Sequence, residues 1–519
     1  MSSGGVPSVP WAGARLPSRT YNWALLGIVL LGAALRFAHI TRPFNRWMAW
    51  NEGHYAMIAL NFDRYGLWSQ RNDLGVDHSF SPGVPWLIWA AFKTFGPTEW
   101  AARLPMVLSG IAVVALIAAF ARRLLRSEQI ALISAGLAAV APGMVYFSQN
   151  TQLDMPSICC ALAGAVMMLR YRETRRWGDY AAAGAWLAVA IWFKFTAVLL
   201  YPAFLVLWWP ARPARPVVAA ATAAGFVGLT ALPSAVWVVS GWLSHQVNGE
   251  FYYRQWDLLG IGKALVEIPL EVEAHLFILT FVLLCVSIPV LRRWWPRFRE
   301  IWVWCYPWLT QYFIAPWSSL ANRYYDLPAT SLLIVTAAAG LWTLDARRFQ
   351  GAALIRAVYS IFAIIMALTL AYDLWDPMTD RIALETTPHP PPIDPVPFYS
   401  AKVVGDLPRG RTIVHWPQTM FYAGGDPAWI TTADGRWVID SERFDYIVFN
   451  DYSQGLGELY PIDGTLRARL SDHDYIQIAP LAWAHERTAV ADLDGVLPSG
   501  IPYWSPAHAW QSPGMALWQ

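Results

Sequence analysis

Long apolar runs separated by short basic connections dominate the first 372 residues. A helix needs about 20 mostly apolar residues to cross a bilayer. Eleven runs meet or approach that length: residues 22–40, 103–122, 129–147, 155–171, 179–193, 195–210, 217–240, 272–291, 301–316, 327–345 and 354–372. Only Lys194 and its neighbours, in IWFKFTAVLLYP, separate the fifth run from the sixth. The pattern predicts a mainly α membrane protein with about 11 transmembrane helices.

Arginine clusters recur in every second connection between these runs. The positive-inside rule places such clusters in the cytoplasm. We therefore predict an integral, multi-pass protein of the plasma (inner) membrane with a cytoplasmic amino terminus. Because the number of spans is odd, the carboxyl-terminal tail then lies on the outer side of the membrane. The clusters are Arg15 and Arg19; Arg122, Arg123 and Arg126; Arg170, Arg172, Arg175 and Arg176; Arg212 and Arg215; Arg292, Arg293, Arg297 and Arg299; and Arg347 and Arg348.

The first outer loop, residues 41–102, contains two shorter helical patterns. EGHYAMIALNFDRYG and PGVPWLIWAAFKTFG each predict an amphipathic helix, too short to span the membrane. Such helices lie in the membrane interface. Glu52 begins the first of them, so we expect its carboxylate at the level of the lipid headgroups.

The tail changes from helical to strand periodicity. A proline-rich segment, PHPPPIDPVP at residues 388–397, precedes it. The short β-branched and aromatic runs RTIVHW, WVID, YIVFN and YIQIAP, separated by Gly, Pro and Asp, predict strands. We therefore predict a transmembrane domain over residues 1–372, a linker over 373–398 and a small soluble α/β domain outside the membrane over 399–519.

Composition supports this division. The chain is 56% hydrophobic and only 14% charged, with 31 tryptophans, which is too little charge for the surface of a soluble protein. Residues 1–372 hold 29 basic and 17 acidic side chains, whereas the remainder holds 9 and 19. The basic residues lie in short loops rather than on one face, which excludes nucleic acid as a partner. The four cysteines lie in apolar runs and predict no disulfide framework.

Two carboxylates fall on the predicted outer side at membrane depth, where ionisable groups are costly and usually functional. They are Glu52 and Asp154, which precedes Pro156 in YFSQNTQLDMPS. The structural alternatives are a favourable position at a helix N-terminus for Glu52 and an N-cap for Asp154. Lys194 lies alone in an apolar run. It either extends to the surface or meets an anion, and the natural anion there is a lipid phosphate.

Further polar candidates share the outer side. Arg103 and Arg323 could contact the same anion, although Arg323 could also pair with Asp326. The histidines follow no metal-binding spacing, so no metal site is predicted; they are His54, His78, His245 and His275. The sequence contains neither a phosphate-binding G-x-x-x-x-G-K-[ST] loop nor a G-x-S-x-G motif, so it supports neither a nucleotide-driven transporter nor a serine hydrolase.

Several motifs, in their order along the chain, resemble one family. EWAARLPMVLSGIAVVALIAAFARRLL, residues 99–125, is similar to the family's E-x-a-x-R-L-P … A-R-R-L second span. Four further features also match: the acidic residue in the first outer loop, QLDMP, the lysine of AIWFKFTAVLLYP, and NRYYDLPA, which holds Arg323 and Tyr324. The chain thus resembles, over most of residues 20–345, the GT-C superfamily of membrane glycosyltransferases. The relevant branch contains protein O-mannosyltransferases and the lipid A aminoarabinose transferase.

The resemblance implies an inverting transfer of a sugar from a polyprenyl-phosphate carrier to a hydroxyl on a glycan, lipid or protein at the outer face. A carboxylate accepts the hydroxyl proton, and cations stabilise the leaving phosphate. No cofactor is implied. Relatives have Asp-Glu where this chain has Asn51-Glu52, so the base becomes Glu52, with Asp154 orienting the acceptor or acting as the alternative base. The substrate-binding residues implied are His54, His78, Arg103, Lys194, Arg323 and Tyr324.

Two departures from the family pattern keep other functions open. Aminoarabinose transferases have a basic residue and two prolines before the second interfacial helix, where this chain has FSPG, with Ser81. The neighbouring Phe80 also stands where a metal-binding carboxylate would be expected. The alternatives are a transporter of the polyprenyl lipid or glycan, a non-catalytic lipid-binding member of the superfamily, favoured by Asn51, and a ligase that uses a pyrophosphate-linked oligosaccharide.

Overall fold

A computed structural model describes most of the first half of the chain and the strands of the tail. The described residues are 17–38, 40–42, 44, 49–72, 75–76, 80–243, 300, 303–305, 334–335, 338, 412–414, 430–432, 446–448, 475–479 and 482–485. The chain divides into two compact units. Unit 1 comprises residues 1–40, 78–84 and 103–376, and unit 2 comprises residues 41–77, 85–102 and 377–519.

The described part of unit 1 is helical. Its helices are α1 (Ser18–Phe37), most of α4 (Glu99–Leu125), α5 (Glu128–Val140), α6 (Pro142–Ser148), α7 (Asp154–Thr174), α8 (Trp177–Phe193), α9 (Tyr201–Trp208) and α10 (Pro216–Leu243). Helix α3 (Gly83–Phe95) begins in unit 1 but lies mostly in unit 2. Helix α2 (Ala49–Tyr65) belongs to unit 2. The division between the units falls within α3 and α4.

Three helices among the described residues are long and apolar enough to cross a membrane. They cover Ser18–Phe37, Glu99–Leu125 and Pro216–Gly241. The 27 residues of α4 extend about 40 Å, more than the roughly 30 Å hydrocarbon layer. Large apolar side chains on α1 and α10 are exposed, such as Trp23 at 71% and Leu229 at 73%. Such surfaces are expected where a helix faces lipid, so the chain is an integral membrane protein in fold.

Helix α7 packs against α8 more extensively than any other pair of described elements. Small residues allow this close approach, because a Cβ added at Gly164 would lie 3.0 Å from the carbonyl oxygen of Ala183. Most of the helix is buried, including its first residue, Asp154. The packing of α7 therefore fixes the position of Asp154, one of the two carboxylates that the sequence identified as candidates.

The run 129–147, predicted as one span, is two helices. Helix α5 ends at Val140 and α6 begins at Pro142, which has no amide hydrogen to continue the earlier helix. The break exposes the last carbonyls of α5, and the buried Arg36 guanidinium donates to those of Ala138 and Ala139, each at 3.0 Å. Basic groups at helix C-termini satisfy such carbonyls.

The last carbonyls of α1 are also satisfied by a side chain from the segment after α6. Gln149, directly after α6, donates from Nε2 to the carbonyls of Leu35 and Ala38 at 2.7 and 2.8 Å. Arg36 also donates to Ser148 Oγ at 3.2 Å. The connection that leads to Asp154 is thus anchored on α1 by side chains about 110 positions apart in sequence.

The predicted sixth span is also interrupted. Residues Phe195–Leu200 form a 3₁₀ helix, α9 follows, and a second 3₁₀ turn covers Trp209–Ala211. The last four predicted spans lie almost entirely outside the described residues, so the count of eleven stays a prediction.

Unit 2 contains the two shorter helical patterns of the first loop and the strands of the tail. Helix α2 and most of α3 follow the predicted patterns, with a two-stranded hairpin, β1 (Arg71–Asn72) and β2 (Gly75–Val76), between them. Asn61 Nδ2 donates to the carbonyl of Arg71 at 3.0 Å, and Trp86 Nε1 to that of Leu67 at 2.7 Å. These bonds tie α2, the hairpin and α3 together.

The tail contains a five-stranded sheet. Its strands are β3 (Thr412–Val414), β4 (Ile430–Thr432), β5 (Tyr446–Val448), β6 (Tyr475–Ala479) and β7 (Ala482–His485). In the order β4-β3-β5-β7-β6, the first three strands run parallel, while β7 pairs antiparallel with both β5 and β6. The RTIVHW, YIVFN and YIQIAP strands are confirmed, whereas β4 and β7 were missed; WVID and any helices of the predicted α/β domain lie outside the described residues.

Candidate functional site

A buried ion pair joins two candidates of the sequence, Asp154 and Lys194. Lys194 Nζ lies 2.5 Å from Asp154 Oδ1, and the two side chains are 13% and 7% exposed. Asp154 occupies the first turn of α7, where the helix dipole favours a negative charge. Lys194 immediately follows the last residue of α8 and has an extended backbone conformation, with φ −150° and ψ 119°. The anion that meets Lys194 is therefore a residue of the protein, which sequence reasoning missed.

A second contact fixes the same two helix ends. Ser157 lies one turn after Asp154 and donates from Oγ to the carbonyl of Ala190 at 2.8 Å. That carbonyl also accepts the backbone amide of Lys194 at 3.0 Å. The start of α7 and the end of α8 are thus joined by one ion pair and one hydrogen bond, which hold the Lys194 ammonium in place.

The FSPG segment packs against the residues just before Lys194. Ser81 is almost fully buried and donates from Oγ to the carbonyl of Trp192. Gly83 leaves no room for a side chain, since a Cβ there would lie 2.6 Å from the Trp192 ring and 2.7 Å from that of Phe193. Trp237 Nε1 donates to the carbonyl of Phe80 at 2.9 Å. In this chain, FSPG therefore supports the end of α8, a role that the sequence did not reveal.

The connection before Asp154 holds a buried amide. Gln152 is 1% exposed, and neither its Nε2 nor its Oε1 has a hydrogen-bond partner among the described residues. Burying an amide without partners costs several kcal/mol, about 1–3 by protein mutagenesis. Its place in QLDMP, two positions before Asp154, is the sequence signal that could have marked it. Gln152 is a candidate to receive a polar substrate group.

Arg103, the remaining predicted cation of unit 1 that is described, is fully buried. Its Nη1 donates to the carbonyl of Ile40 at 2.9 Å. This bond holds the chain that leaves α1. The structure thus gives Arg103 a visible role in positioning the backbone, and a role in substrate binding stays a prediction.

The candidates of unit 2 lie in the first turns of α2. Glu52 is fully buried, and His54 is 4% exposed, with its ring 5.4 Å from that of Tyr55. Glu52 lies in the first turn of α2, as the helical pattern predicted. Its level in the membrane and its role as a base stay predictions.

The other predicted site residues, His78, Arg323 and Tyr324, lie outside the described residues. Within the described part of the chain, no three His, Cys, Asp or Glu side chains are grouped so that they could hold a metal ion.

The comparisons with known proteins agree with this architecture. The model of the family described as dolichyl-phosphate-mannose-protein mannosyltransferase matches residues 77–240. The match includes Ser81, Asp154 and Lys194, whereas Arg323 lies beyond its end. No curated protein matches the sequence significantly.

Solved structures show the fold. ArnT from Cupriavidus metallidurans bound to undecaprenyl phosphate superposes with a TM-score of 0.61 at 15% identity, over 90% of this chain and 98% of that one. The chain has a GT-C fold. An oligosaccharyltransferase from Archaeoglobus fulgidus in complex with Zn and sulfate gives a TM-score of 0.53 at 12% identity, over 94% of this chain and 76% of that one. The fold expected from the resemblance is thereby confirmed.

Proposed function

We propose that this GT-C protein is an inverting glycosyltransferase that moves a sugar from a polyprenyl-phosphate carrier to a hydroxyl acceptor at the outer face of the membrane. The observation that carries the proposal is the buried Asp154–Lys194 pair, which fixes a cation at the end of a helix. Its support is the shared fold with ArnT, whose structure holds undecaprenyl phosphate. The family match over residues 77–240 points to the same kind of lipid-linked donor.

The reaction needs one base and at least one cation. The acceptor oxygen attacks the anomeric carbon, the bond from that carbon to the phosphate oxygen breaks, and the hydroxyl proton passes to a carboxylate. The polyprenyl phosphate leaves with both electrons of the broken bond, and a nearby cation stabilises its growing charge. Attack from the face opposite the phosphate inverts the anomeric configuration.

We assign the base to Glu52 and the cation to Lys194. Asp154 is bonded to Lys194, so taking up a proton would weaken an existing ion pair. That makes Asp154 better suited to holding the ammonium than to accepting the hydroxyl proton. Gln152 would donate and accept hydrogen bonds with sugar hydroxyls. His54, His78, Arg103, Arg323 and Tyr324 complete the substrate-binding set.

The topology belongs to the same proposal. Eleven spans with a cytoplasmic amino terminus put the connection before Asp154 and the first loop on the outer side. The transmembrane catalytic domain would cover residues 1–372, the linker 373–398 and the soluble α/β domain 399–519. The tail would then contact the acceptor, a glycan, lipid or protein of the cell envelope.

The test is transfer of radiolabelled sugar from a panel of polyprenyl-phosphate donors to acceptors in native membranes. Purified protein in nanodiscs would be compared with Glu52→Gln and Lys194→Gln. Removing the base should lower the transfer rate by about 10²- to 10⁴-fold, and removing the cation should lower it strongly as well. The matched controls are Asp63→Asn, a carboxylate on the same helix as Glu52, and Lys93→Gln, an exposed lysine of α3.

The outcomes separate the proposal from its alternatives. If wild type and both controls transfer label while Glu52→Gln does not, Glu52 is the base. If Asp154→Asn abolishes transfer and Glu52→Gln does not, the base assignment moves to Asp154. If no variant consumes a donor, but the protein binds the lipid or carries it across the membrane, the protein is a lipid-binding member or a transporter.

A further inference from the structure

An amphiphilic cavity lies at the end of unit 1 remote from Asp154. It has a volume of about 830 Å³ and is lined by α1, α4, the start of α5 and the end of α7. Helix α7 runs from Asp154 to Thr174, 21 residues, so its two ends are about 30 Å apart. The cavity is thus separate from the site described above.

The cavity changes from apolar to charged along α4. Ala115 and Ala119 line it first, and Arg122, Arg123 and Arg126 follow at the end of the helix and just beyond it. From Ala115 to Arg123 the helix rises about 12 Å. Helix α1 shows the same gradient. It contributes Leu25, and then Asn22 and Tyr21 nearer to its first residue, Ser18. The lining therefore suits a molecule with an apolar tail and a charged head.

Of the three arginines that line the cavity, two are paired with glutamates among the described residues. Arg122 pairs with Glu128 at 2.6 Å and lies over the Tyr21 ring, and Arg123 pairs with Glu173. Arg126 is exposed and makes no ion pair or side-chain hydrogen bond with any described residue. Among the described lining residues, three side chains are positive and two are negative, which leaves an excess positive charge.

We propose that this cavity binds the phosphate headgroup of an anionic phospholipid, with an acyl chain along α1 and α4. Basic pockets between membrane helices bind such headgroups, and the positive-inside rule assigns this arginine-rich end to the cytoplasmic leaflet, which is rich in anionic lipid. The exposed apolar face of α1 includes Leu26 and Leu30 and provides a surface for the chain. Arg126 binds the phosphate, and Arg122 and Arg123 bind it in competition with their glutamate partners.

The test is native mass spectrometry of the delipidated full-length protein, titrated with phosphatidylglycerol, phosphatidylcholine or inorganic phosphate. Each basic residue near an anionic lipid contributes about 1 kcal/mol, or roughly fivefold in affinity. Arg126→Asn should therefore weaken phosphatidylglycerol binding about fivefold. Arg126 has φ +54°, a conformation that asparagine tolerates well, so this change removes charge without straining the turn.

Two further variants make the result specific. Glu173→Gln releases Arg123 and should tighten binding by a similar factor, a gain that misfolding cannot produce. Arg176→Asn removes an exposed arginine outside the cavity lining, at the N-cap of α8, where asparagine is a favoured residue. Binding by this control should match wild type.

The proposal is overturned if Arg126→Asn and Glu173→Gln leave binding unchanged, or if Arg176→Asn weakens it as much as Arg126→Asn does. Equal affinity for phosphatidylglycerol and phosphatidylcholine would also contradict it. If inorganic phosphate binds as tightly as the lipid and displaces it, the site takes free phosphate and the lipid assignment is wrong.

Discussion

Two lysine–aspartate pairs of this protein have the same chemistry and opposite surroundings. Lys194 and Asp154 are almost completely buried, at 13% and 7% exposure, with a charge separation of 2.5 Å. Lys93 and Asp63 are about half exposed, at 53% and 47%, and 2.9 Å apart. Water can solvate either member of the exposed pair if its partner is lost. It cannot readily do so for the buried pair.

The difference explains why only one pair suits a functional site. An exposed pair contributes about 0–1 kcal/mol, because solvent screens it and the side chains lose freedom. A buried pair gains little net stability, because removing both charges from water costs about as much as their attraction returns. What it provides is a charge with a fixed position. In the reaction proposed above, where the site meets an anionic leaving group, that property would matter more than stability.

Loss of one partner of the buried pair should have the largest effect on stability. Lys194→Met leaves the buried Asp154 carboxylate without its countercharge and should lower the free energy of unfolding by about 3–5 kcal/mol. The double variant Asp154→Leu with Lys194→Met removes both charges and should recover most of that loss. Denaturation in increasing SDS, followed by tryptophan fluorescence, measures both. A double variant as unstable as the single one would show that the pairing is not what matters.

The sequence predicted the two members of this pair but not their contact. A carboxylate beside Pro156 and a lysine in an apolar run were both visible, and α7 and α8 begin and end close to the predicted bounds. Their meeting spans 40 positions and depends on how α7 packs against α8. A local sequence pattern cannot predict a contact between residues so far apart in the chain. For that reason the sequence suggested a lipid phosphate as the anion that meets Lys194.

The same limit applies to the helix breaks and to FSPG. Helical periodicity identified α2 and most of α3, since apolar spacing alone fixes an amphipathic helix. It merged α5 with α6, because a proline does not always end a membrane helix: Pro105 lies inside α4 and Pro233 inside α10. The carbonyls freed at the break before Pro142 have a partner that local periodicity does not reveal. That partner, Arg36, is 102 positions from Ala138.

A change of intermediate effect tests the packing of Gly83 against the residues just before Lys194. Gly83→Ala would push a methyl group into the Trp192 and Phe193 rings and displace the backbone just before Lys194. Overpacking of this kind costs about 1–3 kcal/mol. The matched control is Gly225→Ala in α10, where a Cβ would meet no atom within 4 Å. The control should stay stable or gain up to about 1 kcal/mol, since alanine favours helix. SDS denaturation midpoints compare the two, and equal midpoints would contradict the close packing at Gly83.

The smallest effect belongs to the exposed pair, and it should depend on pH. Burial is the largest single influence and raises the pKa of the Asp63 carboxyl. The hydrogen bonds from Trp89 and Lys93, together with the Lys93 and Arg64 charges, outweigh it and lower the pKa below its ordinary value. A carboxyl whose pKa is lowered in the folded state stabilises that state above its unfolded pKa, near 4, and loses this contribution as the pH falls through the folded value.

Asp63→Asn should therefore cost about 1 kcal/mol or less at neutral pH and nothing in strong acid. The effect should also shrink in high salt, which screens exposed charges. Thermal unfolding of wild type and Asp63→Asn over a pH series, at low and high salt, measures the difference. Lys93→Gln should follow the same profile, because it removes the other member of the pair. A cost that persists at low pH or in high salt would mean that Asp63 stabilises the protein through packing with Trp89, and the contrast between the two pairs would then rest on more than their exposure to water.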